Sequence, residues 1–292
     1  MVSSTPASAT GSPARAGLRG SLVLRIWRRP RGAIGLVLTG VLVVSVLCAP
    51  ALAPHGPLVL AKDAILVPPS GTFPFGTDEL GRDILSRVLY GGRISLFVAF
   101  VSVLLAAVTG VVIGLTGGYF GRWWDAVVMR LMDTVLAFPA IILAMGVVSL
   151  LGPSSTNVMI AVAIVSIPVF ARLTRSGVLA EREREYVEAA HAIGASDLHT
   201  IFREILPNTL TPVMVQVSIS MGYAVLLEAG LSFLGLGTQP PQPSWGAMLF
   251  QASSYLNQAP WYGFFPGLLL TALVLGLNLL SEALQEVLSR TV

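Results

Sequence analysis

Six stretches of the chain are free of charge for long enough, and apolar enough, to predict membrane-spanning helices. A bilayer core takes about 20 apolar residues in helical form. Residues 34–53 form the first such run, just after Arg25, Arg28, Arg29 and Arg31. Arg93 and Arg122 bracket the second, with its apolar centre at 94–115. Asp133 and Arg172 enclose 38 uncharged residues, too many for one helix. The cluster Gly152-Pro153-Ser154-Ser155-Thr156-Asn157 reads as a turn and divides them into spans at 134–151 and 158–173. Glu204 and Glu228 enclose a fifth span at 211–227, and the 53 uncharged residues before Glu282 hold a Pro/Gly-rich loop and a sixth at 263–280.

The basic residues orient this set. With the N-terminus inside, only Lys62, Arg82, Arg87 and Arg93 of the 18 Lys and Arg lie outside. That is the asymmetry of the positive-inside rule, and six spans return the C-terminus to the cytoplasm. The expected organisation is a disordered basic cytoplasmic N-terminus (1–33), a first span (34–53), an extracytoplasmic loop (54–93) and a five-helix core (94–292). Ala51-Leu52-Ala53 imitates a signal cleavage site and Arg28-Arg29 a twin-arginine start. The apolar run between them is 20 residues, however, where a signal usually has about 7–15, so a retained anchor is expected.

Composition strengthens this picture. The 292 residues are 54% hydrophobic and only 11% charged, with a mean hydropathy of +0.78. A soluble domain carries roughly 25% charge, so a soluble enzyme is excluded. The net charge of +3 belongs to cytoplasmic loops rather than to a nucleic-acid surface. The single cysteine, Cys48, rules out internal disulfides and cysteine-based metal sites. His55, His191 and His199 lie too far apart for metal-ligand spacing, so no metal site is expected. No Gly-x4-Gly-Lys phosphate loop occurs, and no Ser/His/Asp set has supporting context, so no catalytic residues are assigned.

The longest cytoplasmic segment, 174–210, carries the most information. Tyr186 to Ala192 reads as a short helix that Gly194 ends in the left-handed conformation. Ser196 or Asp197 can cap a second helix, in which Leu198, Ile201, Phe202, Ile205 and Leu206 fall on one stripe and which Pro207 should stop. Two short helices at a sharp angle suit either packing on the membrane surface or docking into a groove of another protein.

Glu188-Ala189-Ala190-x3-Gly194, followed by Leu206-Pro207, resembles the EAA loop of ABC-importer permeases. One departure is Glu204, where that family often has an aliphatic residue. Phe75-Gly76-Thr77-Asp78-Glu79-Leu80-Gly81-Arg82-Asp83 before the second span, and Gly230-Leu231-Ser232-Phe233-Leu234-Gly235-Leu236-Gly237 with Pro243-Ser244-Trp245-Gly246 after the fifth, resemble the second permease of dipeptide, oligopeptide and nickel importers. The resemblance implies an all-α, six-helix type I importer permease (the MetI-like fold), forming half of a translocation path for di- or oligopeptides. It implies a homologous second permease, two ATP-binding subunits (or one fused) that hold ATP and Mg, and an extracytoplasmic substrate-binding protein. Glu188, Ala189, Ala190, Ile193, Gly194, Leu206 and Pro207 would couple to the ATPase, whose closure would tilt the spans from inward- to outward-facing. Nickel or another small solute is the alternative cargo. An ion-driven secondary transporter would need buried acids in the bundle, and spans one to four carry essentially none.

Glu228 is the one ionisable residue far from the cytoplasmic edge of spans five and six; with Phe233 it is a candidate gate or pathway residue, or else an interfacial one. Asp78, Glu79, Arg82 and Asp83 form a mixed-charge outer patch suited to binding-protein contact. Residues 231–236 are expected to re-enter the membrane, Trp245, Trp261 and Tyr262 to form an interfacial belt, and Arg130 to pair locally with Asp133.

Overall fold

The computed structural model describes residues 22–289. The tail expected to be disordered falls largely on residues 1–21, outside the described residues. From Leu22 the chain is helical, with α1 at Leu22–Trp27 and α2 at Pro30–Leu47, the latter with proline in its first turn, where the missing N–H costs nothing. A short α3 (Ala49–Leu52) leads into the outer loop, and α4 (Ile84–Phe120) follows. The helix therefore begins well inside the stretch expected to be loop, because Asp83 accepts the Ser86 N–H and caps it.

The third span is the clearest correction. Instead of one helix over 134–151, α5 (Arg122–Leu136) and α6 (Ala140–Leu151) meet at a bend of 95°. Pro139 supplies no N–H and disfavours helical geometry at Phe138, so the chain turns there. Ser154 caps α7 (Ser155–Arg182), which runs on past the expected end at 173 into the cytoplasmic segment. Then come α8 (Glu185–Ala192), the brief α9 (Asp197–His199), a π-turn (Thr200–Ile205) and α10 (Leu206–Phe233). The outer-side helix α11 (Trp245–Ser253) and the last span α12 (Pro260–Ser289) complete the described residues. Among the described residues, five helices are long and apolar enough to cross a bilayer, and the bent α5/α6 pair makes up to a sixth. The only β-type pairing among the described residues is the isolated bridge Thr77–Asp83.

The heart of the bundle is α4 laid along α7. Gly110, Gly114 and Gly118 line one face of α4 at four-residue intervals. A Cβ on Gly110 would sit 2.5 Å from that of Phe170, and one on Gly114 2.5 Å from the Ala171 carbonyl oxygen. Such small-residue stripes let helix backbones approach in lipid, where packing rather than hydrophobic exclusion drives association. Outside that pair, α2 packs on α12, and the ion pairs Arg29–Glu286 (2.8 Å) and Arg31–Glu282 (3.3 Å) tie the start of α2 to the end of α12.

The segment that tucks back among the spans is α11, not 231–236, the first half of which simply continues α10. Trp245 at its start is fully buried, and its indole N–H donates to the Val88 carbonyl of α4 at 2.8 Å. Tyr262 is likewise fully buried, with its hydroxyl on Gln251 at 3.0 Å. These two aromatics are core residues and not members of an interfacial belt: each has its polar atom satisfied inside the protein, so neither needs water.

Candidate functional site

Residues 181–208, the segment expected to be cytoplasmic, form a compact knot. Val187 of α8 is buried against Ile201, Ile205, Leu115 and Val178, which fastens α8 to α4, α7 and the π-turn. Around this apolar centre lie hydrogen bonds of long sequence reach. The Tyr119 hydroxyl donates to Asp197 Oδ1 at 2.6 Å, and Arg182 Nη1 donates to the Tyr119 carbonyl at 3.0 Å. The Tyr186 hydroxyl donates to Glu181 and accepts from Asn208 Nδ2 at 3.0 Å, joining α7, α8 and α10. Burial first, and then the bond to Glu181, hold the Tyr186 hydroxyl above its ordinary pKa.

Gly194 adopts φ 81°, and the Gly194 and Ala195 N–H groups return to the His191 and Ala190 carbonyls at 3.0 Å each. This is a complete Schellman ending to α8, which satisfies two of its last carbonyls. Ser196 caps the next turn by accepting the His199 N–H. Pro207 does not stop the second helix. The π-turn before it, in which the Leu206 N–H reaches back to the Ile201 carbonyl, widens the backbone so that the ring fits and α10 runs on through Pro212. The extra residue in that turn also splits the expected stripe. Ile201 and Ile205 are buried and Leu206 half-buried, whereas Leu198 and Phe202 face outward. Glu204, the departure from the family pattern, stands beside His199 at 3.8 Å.

The knot leaves small and large apolar residues uncovered among its charged ones. Glu188, Ala189 and Gly194 are exposed, and Ala190 is half-exposed. Ile193 is 86% exposed, Leu198 68% and Phe202 58%. Large apolar side chains left exposed on so charged a segment are of the sort that marks an interaction surface. Pro207 is exposed as well.

The other sequence-marked residues fall elsewhere. Asp78, Arg82 and Asp83 are buried to 4% exposure or less. Asp78 pairs with Arg82 Nε at 2.6 Å and Arg87 Nε at 3.2 Å, while Arg82 also reaches Glu79 at 2.9 Å. The outer patch is thus an internal clasp closing the 54–83 loop onto α4: unpaired charges are too costly to bury, and here each finds a partner. Only Glu79 of the four is partly exposed. Glu228 is fully buried; it accepts the Ser232 hydroxyl at 2.8 Å and has Ser95 of α4 and Ser244 before α11 beside it. It is enclosed where α10 meets α4 and the segment before α11, and its hydrogen bond is to its own helix. Phe233, 42% exposed, stands edge-on to Phe250 at 6.2 Å. Asp133 pairs with Arg172 of α7, not with Arg130, and Asp125 takes both guanidinium nitrogens of Arg175 at 2.5 Å.

Cavities at membrane depth reveal residues that sequence reasoning missed. Gln216, Ser220 and Tyr223 of α10, with Ser166 of α7 and Phe138 at the bend, line a cavity of about 320 Å³. The spacing of the three α10 residues, i, i+4 and i+7, which puts them on one face of the helix, was the available signal.

Comparison with known proteins agrees with this geometry. Residues 110–292 match the family described as binding-protein-dependent transport system inner membrane component. The chain belongs to that family. A dipeptide transport system permease protein, DppC, of Alkalihalophilus pseudofirmus is 42% identical over 255 residues, covering 87% of this chain and 84% of the relative. A glutathione transport system permease protein, GsiD, of Pectobacterium atrosepticum is 45% identical over 220 residues, 75% and 73% of the two chains. Among solved structures, an inward-facing methionine ABC transporter, MetNI, aligns with a TM-score of 0.57 at 19% identity, over 70% of this chain and 96% of that one. The expected six-span importer-permease fold is therefore correct, with its third span broken.

Proposed function

We propose that this membrane protein forms half of the translocation path of an ATP-driven importer of di- or oligopeptides, with α8 and Gly194 as the face that meets an ATPase subunit. One observation carries the reading: Ile193, Leu198 and Phe202 stand exposed beside Glu188 and Ala189 on a knot bonded to α4, α7 and α10. A push on that face reaches three spans at once. The chain has no phosphate-binding loop of its own, so ATP and Mg are placed on two partner subunits. A homologous second permease completes the path, an extracytoplasmic binding protein delivers cargo, and both termini lie in the cytoplasm. Peptide is favoured as cargo by the dipeptide permeases among the relatives.

The test is reconstitution. Purification through this chain should bring down two ATPase copies and one sister permease. Proteoliposomes of that complex, supplied with the binding protein, should take up labelled dipeptide only with ATP inside. Ile193→Asp should leave ATPase activity running while uptake falls. Uptake of nickel but not peptide would reassign the cargo, and uptake driven by a proton gradient without ATP would overturn the reading.

A further inference from the structure

On the flank of the bundle, at the end nearer the 54–83 loop, α2, α4 and α7 part to leave a cleft of about 620 Å³ that reaches Met221 of α10. Its walls are apolar: Val46 of α2, Phe97 and Phe100 of α4, and Met159 of α7. Arg93 is the one charged residue that lines it. Placed at the outer end of α4, Arg93 is exposed, forms no salt bridge among the described residues, and has Tyr90 as its ring neighbour at 6.0 Å. Thr156, in the first turn of α7, is also exposed at the mouth.

We infer that the cleft is a binding site for an acidic phospholipid, with its phosphate on Arg93 and one acyl chain running inward between Phe97, Phe100 and Met159. Charge and shape both select this occupant. A guanidinium without a carboxylate partner, set at the end of a membrane helix, attracts an anion, and the first turn of α7 adds the positive end of a helix. Below that point the lining is apolar for the seven residues of α4 from Arg93 to Phe100, roughly 10 Å at 1.5 Å per residue. The occupant therefore has an anionic head and an apolar tail of at least that length. Two methionines in the walls adapt readily to a flexible chain. Below Phe100, the exposed Leu104 and Val108 continue the same side of α4, so a longer acyl chain stays on an apolar surface. This inference rests on membrane embedding and not on the nature of the cargo.

The assembled transporter, delipidated by repeated detergent exchange, can be titrated with phosphatidylglycerol or with phosphatidylcholine of the same acyl chains and read by native mass spectrometry. One phosphatidylglycerol should be retained per copy of this chain. Both lipids carry a phosphate, but choline adds a cation that cancels its charge, so the preference for phosphatidylglycerol rests on net charge and should be about fivefold, the effect of one basic residue at an anionic lipid surface. Arg93→Gln should abolish that preference, Arg93→Lys should keep most of it, and Met159→Trp, which fills the cleft, should release both lipids. Copurification of the partner subunits reports whether each variant assembles. For any that does not, a phosphatidylglycerol with a photoreactive acyl chain, applied to the wild-type complex, should label peptides containing Phe100 or Met159. Equal retention of both lipids, labelling confined to other sites, or a helix of a neighbouring subunit seated in the cleft would each overturn the inference. Peptide uptake, measured separately, keeps its failure distinct from failure of the transport reading.

Discussion

Tyr119, at the C-terminal end of α4, donates its hydroxyl to Asp197, 78 residues later in the 181–208 knot, at 2.6 Å. The same tyrosine offers its carbonyl to Arg182 at the end of α7. One residue thus gathers the end of the longest span, the end of its main packing partner and the turn that follows α8.

If that gathering carries force, its removal should affect coupling more than folding. A net hydrogen bond contributes about 1 kcal/mol, and this one is partly open to water. Tyr119→Phe and Asp197→Ala should each leave the complex assembled with little change in melting temperature. The number of ATP molecules consumed per cargo molecule should rise in each, and the double variant should be no worse than the single ones. Additive losses would show that the two residues act separately.

Much of this architecture was legible because bilayer spans write themselves as long uncharged runs, and because glycine and serine mark the ends of α8 and α9 so plainly. The rest needed three dimensions. The α5/α6 bend was hidden because Pro139 sits inside an apolar run, where hydropathy sees no break. Counting charges could not reveal that Asp78 and Arg82 face each other indoors, since a buried clasp and a solvated patch have the same composition. Periodicity misled once, at Thr200–Ile205, where a π-turn shifted the phase of the stripe. The glycine triplet of α4 was visible in the sequence, but its meaning depends on α7 lying across it.

The Asp78 clasp predicts a stability defect and not a docking defect. Removing one partner of a buried ion pair costs about 3–5 kcal/mol, because the other is left uncompensated. Arg87→Met should therefore lower the melting temperature of the complex and its yield in membranes. The affinity of whatever complex survives for the binding protein should be unchanged. Because the pair is sealed from solvent, added salt should change the defect little. A normal melting temperature with weakened binding-protein affinity would restore this segment as a docking surface.

Glu228 provides a similar separation between gate and pin. Its carboxyl accepts the Ser232 hydroxyl at 2.8 Å at the junction of α10 with α4 and α11. Glu228→Gln keeps an acceptor there and should retain uptake. Glu228→Leu removes the acceptor of the buried Ser232 hydroxyl, which costs about 1–3 kcal/mol, and should destabilise the complex. A cargo gate would instead respond to the Gln variant, with a changed cargo preference at an unaltered melting temperature.

Gly194 gives the sharpest test of the coupling face, because local strain and partner contact can be separated at this position. Its φ of 81° admits glycine and asparagine readily but not a β-branched residue, whose strain there costs roughly 1–3 kcal/mol. Among the described residues, none beyond its two chain neighbours lies within 4 Å of where its Cβ would be, so a side chain there meets open space. Gly194→Val should misplace Ile193 and cut uptake about tenfold, in line with 1.4 kcal/mol per decade, while basal ATP hydrolysis continues. Gly194→Asn keeps the backbone and adds only bulk. If the ATPase seats closely on this turn, the Asn variant should also lose uptake, with the isolated chain folding as before. If Asn behaves like wild type and Val does not, the turn sets only the aim of α8, and the contact lies one residue earlier, at Ile193.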